Sequence, residues 1–100
     1  MIYLTVLLFV KEGKEDVFNE YEASVLPILK DYSGKLLCRT RPRKEDFIEF
    51  EGETPFELHF ISFPTHKDFI NFTKDDKRNS FTNLKEDAIK TSFIVKGEIL

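Results

Sequence analysis

The sequence predicts an α+β fold built on a four-stranded antiparallel sheet, and three observations carry that prediction. Apolar periodicity switches along the chain in the order strand, helix, strand, strand, helix, strand. The first strand is apolar on both faces rather than alternating with polar residues. The length of 100 residues fits one domain, residues 1–100, with helix enough to cover only one face of a small sheet.

The first strand, Ile2 to Val10, sets Ile2, Leu4, Val6, Leu8 and Val10 on one side and Tyr3, Thr5, Leu7 and Phe9 on the other. Lys11-Glu12-Gly13 ends it. A helix follows from about Lys14 to Tyr32, with Val17, Phe18, Tyr21, Val25, Ile28, Leu29 and Tyr32 forming one apolar stripe. Pro27 removes a backbone donor, so a kink is expected around Ala23–Pro27, and Gly34 stands where a left-handed cap is expected. Lys35 to Arg41 reads as the second strand, with Leu37, Arg39 and Arg41 on one face and Leu36, Cys38 and Thr40 on the other. Pro42 to Asp46 breaks it, and Phe47 to Phe50 reads as a short strand continuation. After the turn Glu51 to Pro55, the third strand runs from Phe56 to Phe63, its rows being Phe56, Leu58, Phe60, Ser62 and Glu57, His59, Ile61, Phe63. Thr65 and Asp68 resemble a capping box opening a helix to about Thr73. Lys74 to Asn79 reads as a solvated link, Ser80 starts a further helix with Phe81, Leu84 and Ala88 on one side, and the last strand spans about Thr91 to Ile99. This order is the ferredoxin-like split βαβ pattern, with the helices on one face. The helices are expected over Ile2, Leu4, Val6 and Leu8. A second copy of the chain is expected over Tyr3, Thr5, Leu7 and Phe9, giving a homodimer.

Composition excludes several classes. Fifteen basic and 18 acidic residues give a net charge of −3 without a basic run, so no nucleic-acid partner is expected. The apolar start is too short to span a bilayer and lacks the basic flank and cleavage site of a signal peptide, so no membrane partner is expected either. One cysteine, Cys38, forms no internal disulfide, which favours a cytoplasmic location, and its row is expected to face the helices as a small buried hydrophobe. No cofactor loop is present, since Gly13, Gly34, Gly52 and Gly97 stand alone. His59 and His66 lie on different elements with no ligand cluster, so no metal site is expected.

Short motifs add a resemblance covering nearly the whole chain. They are Tyr21 in the first helix, Tyr32-Ser33-Gly34-Lys35 entering the second strand, Arg39 within it, and Glu51-Gly52. Phe63-Pro64-Thr65, Phe72 and Gly97 complete the set. In these the chain resembles the dimeric α+β-barrel superfamily, and within it a branch of small uncharacterised bacterial proteins classed as a domain of unknown function. It departs from that branch at Ser33, where a second glycine is common, at Arg78 and Lys85, where an aromatic residue and an arginine stand, and in the Pro42–Asp46 segment. The resemblance implies a ferredoxin-like homodimer with a small-molecule cleft. Because superfamily relatives include cofactor-independent monooxygenases of aromatic compounds and small isomerases, it also implies an enzyme as the alternative.

The candidate ligand-binding residues are Tyr3, Arg39, Glu57 and His59. By alternation His59 points with Glu57, Arg39 and Arg41 toward the partner sheet, on the side of Tyr3 and Thr5. An imidazole beside a carboxylate and a guanidinium suits a general base, with His59 the candidate catalytic residue, or a site for a small anionic or aromatic molecule. The same groups also read as a satisfied ion-pair network, with Glu51 the expected partner of Arg39.

Overall fold

The computed structural model describes residues 1–100. Four strands, β1 (Ile2–Val10), β2 (Lys35–Thr40), β3 (Glu57–Phe63) and β4 (Ile89–Gly97), form one antiparallel sheet in the order β2-β3-β1-β4. The two-faced strand β1 takes a central place, as its apolar rows require. Ile2, Leu4, Val6 and Leu8 pack under the helices with Phe18, Tyr21, Val25, Phe63 and Phe72. The opposite face carries no helix. There Tyr3 stacks on Phe60 with ring centres 5.5 Å apart, while Phe93 and Val95 remain 56% and 62% exposed. No helix is long and apolar enough to cross a membrane.

Helix α1 (Glu15–Val25) gives way to a 3-10 segment, Leu26–Tyr32, so the break expected near Pro27 is a change of helix type. Pro27 lies in the first turn of that segment, where its missing N–H leaves no hydrogen bond unmade. The left-handed residue is Ser33, with φ of 57°, rather than Gly34. Gly34 is required for a different reason: a Cβ there would sit 2.7 Å from Cε1 of Phe63. The Thr65–Asp68 box opens α2 (His66–Thr73), the Thr65 hydroxyl oxygen accepting from the Asp68 N–H at 3.1 Å.

Other segments differ from the sequence expectation. Phe47 to Phe50 forms no strand, because the two phenylalanine rings pack on each other at 5.2 Å and leave the backbone in a loop. The polar stretch before Ser80 contains a helical turn, α3 (Asp76–Asn79), because the Asp75 carboxylate accepts from the Arg78 N–H at 2.7 Å. Helix α4 (Thr82–Ala88) then runs directly into β4, which starts at Ile89 and ends at Gly97. The strand starts early because Ile89 already pairs with Val10.

β2 carries one extra residue. Leu36 pairs with Ile61 and Cys38 with Phe60, so Leu37 is a bulge and every residue after it changes face. Cys38 therefore lies on the open face, exposed, rather than under the helices.

Candidate functional site

Register decides which way the β3 row points. Leu4 pairs with Ile61, Val6 with His59 and Leu8 with Glu57, so Glu57 and His59 share the helix-covered face. The expectation that they face a partner sheet is corrected: they face the helices. Both rows of β3 are apolar enough for a core, and Ile61 and Phe63 belong with the row that the helices cover. Tyr3 pairs with Ser62 and occupies the other face, away from His59, so the structure brings together Arg39, Glu57 and His59 without Tyr3.

Glu57 is the hub. It is fully buried, and its two oxygens accept from Arg39 Nε at 3.0 Å and from Arg41 Nε at 2.6 Å. His59 Nε2 lies in hydrogen-bond contact with the same Oε2 that Arg39 engages. Arg39 thus pairs with Glu57 and not with Glu51, which stands exposed in the turn ahead of β3. Arg41 is fixed further by Asn19, whose Oδ1 accepts from Nη2 at 2.5 Å, and by the Phe56 ring, 4.8 Å beneath its guanidinium. Burial works to raise the Glu57 pKa, but hydrogen bonds from His59, Arg39 and Arg41 outweigh it and hold the carboxyl down at about 2.

A second carboxyl completes the cluster. Glu22 of α1 lies 3.7 Å from His59 Nε2 and is 4% exposed. Burial pushes its pKa up to about 7, against the opposing pull of His59. Two carboxyls at the same imidazole nitrogen are therefore held differently: Glu57 is ionised throughout the ordinary pH range, and Glu22 exchanges a proton near neutrality. The sequence held a signal for Glu22 that the analysis passed over. It stands four residues after Phe18 and three before Val25, inside the apolar stripe.

Glu22 and His59 form one end of a pocket of about 120 Å³ between sheet and helices. Leu4, Val6, Leu8 and Ile61 line it from the strands, and Val25, Leu29, Phe69 and Phe72 from the helical side. Tyr21, Arg78 and Lys85 also reach it. The side chains of Tyr21 and Glu22 are both buried, and neither makes a hydrogen bond within the chain. Arg78 lies over the Phe72 ring at 4.9 Å, and its Nε is buried without an acceptor. In the sequence Arg78 stands out only as a departure from the resemblance and not as a site residue.

Glu22, Glu57 and His59 place one ligand atom each within 4.8 Å of one another. A cation fits this set poorly, because guanidinium groups occupy both oxygens of Glu57 and repel further positive charge. The arrangement suits proton exchange better.

No protein-family model matches the chain, and no curated protein does. Solved structures do match it. A dimeric protein of unknown function and ferredoxin-like fold from Bacteroides fragilis superimposes with a TM-score of 0.71 at 12% identity, over 98% of this chain and 95% of that one. The fold is ferredoxin-like. A protein of unknown function from Rhodopseudomonas palustris gives a TM-score of 0.82 at 13% identity, over 99% of this chain and 82% of that one. A putative antibiotic biosynthesis monooxygenase from Nitrosomonas europaea gives 0.74 at 14% identity, over 100% and 99%. At such identities the likeness speaks of the ferredoxin-like scaffold, on which many activities are built.

Proposed function

We propose that this chain works as a cytoplasmic homodimer that binds a small, single-ring aromatic molecule bearing one hydroxyl or carbonyl group. The ring enters the pocket between sheet and helices, and its polar group meets Tyr21, Glu22 and His59. One observation carries this reading: Tyr21 and Glu22, whose side chains make no hydrogen bond within the chain, and Arg78, whose Nε is buried without an acceptor, line an otherwise apolar pocket. The buried Arg78 Nε costs about 1–3 kcal/mol when left unsatisfied, and a ligand oxygen that accepts from it recovers that. The pocket, about 120 Å³, is comparable to the ~150 Å³ apolar cavity that takes up benzene. The ionisable Glu22 disfavours a carboxylate beside it above neutral pH, so the preferred ligand is a neutral phenol rather than a benzoate.

The homodimer rests on the open sheet face. Phe60, Phe93 and Val95 leave apolar surface there that a second copy would cover at roughly 1.5–3 kcal/mol per side chain. The Bacteroides fragilis neighbour, described as dimeric, supports the same assembly. Tyr3 then contributes to assembly, and the ligand cleft lies on the helix side of the sheet.

Ligand-observed NMR with phenol, benzyl alcohol and benzoate tests the pocket. Phenol should bind saturably, benzoate should bind more weakly at pH 8 than at pH 5, and Leu26→Trp should fill the space and end binding. Failure of all three compounds to bind the folded protein refutes the proposal.

A second reading, a cofactor-independent enzyme, is favoured by Glu22, which exchanges a proton near neutrality and lies against His59. Exchange of the α-hydrogens of a small aryl ketone with deuterium oxide tests it. His59→Phe should remove catalysed exchange, and wild-type exchange no faster than buffer refutes it.

A further inference from the structure

The arginines of the cluster have a second side. Each spends only Nε on Glu57, and the remaining nitrogens turn to a groove of about 570 Å³ lined by Asn19, Ala23, Arg39, Thr40, Arg41 and Glu57. Both terminal nitrogens of Arg39 and Nη1 of Arg41 have no acceptor in the chain. The Asn19 amide nitrogen beside them is also free, its oxygen being the atom that Arg41 uses. We propose that this groove between α1 and β2 is a binding site for a small oxyanion, the carboxylate or phosphate group of a metabolite-sized molecule, independent of the apolar pocket behind it.

Three features distinguish the groove from a closed ion-pair network. Two guanidinium groups bond the single carboxylate of Glu57, and the other carboxyl of the cluster, Glu22, bonds to neither. The donors are preorganised: Glu57 is fully buried, and it holds both forks by one nitrogen each. Arg41 has further fixed contacts in Asn19 and Phe56. Finally, the Arg39 and Arg41 side chains are 38% and 41% exposed and line the open groove, so an anion reaches them without unfolding the cluster. Planar forks with paired N–H groups fixed at an opening are the donor geometry that carboxylates and phosphates take. A network serving stability alone would turn those forks inward on Glu57, which instead receives only their Nε atoms.

The test is an NMR titration of nitrogen-15-labelled protein, following the arginine Nε–H and Asn19 side-chain amide signals. Inorganic phosphate and benzoate are the probes, at ionic strength held constant with sodium chloride. Saturable shifts confined to these signals are expected, and whichever probe produces them names the anion class. Arg39→Gln should weaken binding about tenfold through loss of the open fork. Asn19→Asp, at an exposed helix position where the new carboxylate can still accept from Arg41 Nη2, should weaken it at least as much by placing a negative charge at the groove. Linear shifts that chloride reproduces, or a folded Asn19→Asp protein with unchanged affinity, overturn the proposal.

Discussion

Replacing Glu22 by Gln should stabilise the protein above about pH 4.5, with the full gain reached near neutral pH. Glutamine has nearly the shape of the protonated carboxyl but cannot ionise. In the folded protein the Glu22 carboxyl titrates at about 7 instead of its ordinary 4.5, because α1 buries it beside the sheet. A group whose folded pKa is raised contributes stability that is fully present below 4.5 and lost as pH rises through 7. Between those values the unfolded chain has released its proton and the folded chain has kept it, so stability falls by up to ~1.36 kcal/mol per pH unit. Over the interval this sums to about 3 kcal/mol, and coupling to His59 and Glu57 reduces the expectation to about 1–2 kcal/mol. For a chain of this size that is a rise in melting temperature of about 5–15 °C. Thermal melts followed by circular dichroism at fixed protein concentration should therefore coincide for wild type and Glu22→Gln at pH 4.5 and separate at pH 8. Glu20→Gln, on the exposed side of the same helix, should track the wild type throughout. Wild-type and Glu22→Gln curves that stay parallel from pH 4.5 to pH 8 would refute the burial of an ionisable Glu22.

Glu57 works in the opposite direction. Its folded pKa of about 2 lies below the ordinary 4.5, so its contribution is present above pH 4.5 and fades toward pH 2, and acid titration of the melting temperature should show that limb. Glu57→Ala leaves Arg39 and Arg41 without their anchor and should cost about 2–4 kcal/mol in urea unfolding, the lower part of the range for a broken buried pair because both guanidinium ends reach water. Phe60→Lys together with Phe93→Lys should reduce the mass measured by light scattering to the 11.8 kDa of one chain. Gly34→Ala should cost about 1–3 kcal/mol, since its Cβ meets the Phe63 ring at 2.7 Å; an unchanged melt would show that the ring moves freely.

The sheet and the face its helices cover were legible because β1 and α1 carry long, regular apolar patterns. Ile2, Leu4, Val6 and Leu8 face Phe18, Tyr21 and Val25, as their spacings require. The site was legible only in part. Alternation tells which residues share a row, and it correctly joined Glu57 with His59. It does not tell which of two apolar rows faces inward, and so the pair was turned the wrong way. Leu37 defeated alternation within β2, because a bulge leaves no mark in a run such as Lys35-Leu36-Leu37-Cys38. Glu22 was hidden by its own context: one charge in an apolar stripe resembles a residue at the margin until packing shows it enclosed.

The extra residue at Leu37 acts as a parity bit for the chain that follows it. With it, Arg39 falls opposite His59 and, with Arg41, arrives on the side where Glu57 is buried. Were Leu37 drawn into the ladder instead of looped out, it would fall opposite Phe60 and Arg39 opposite Leu58, carrying both guanidinium groups to the open face. That register would strand Glu57 without a counter-charge and set cations beside the apolar ring of Phe60. Deleting Leu37 outright would keep Cys38 opposite Phe60 and Arg39 opposite His59, so the side the arginines take is set by one residue standing out of the ladder and not by the length of the strand.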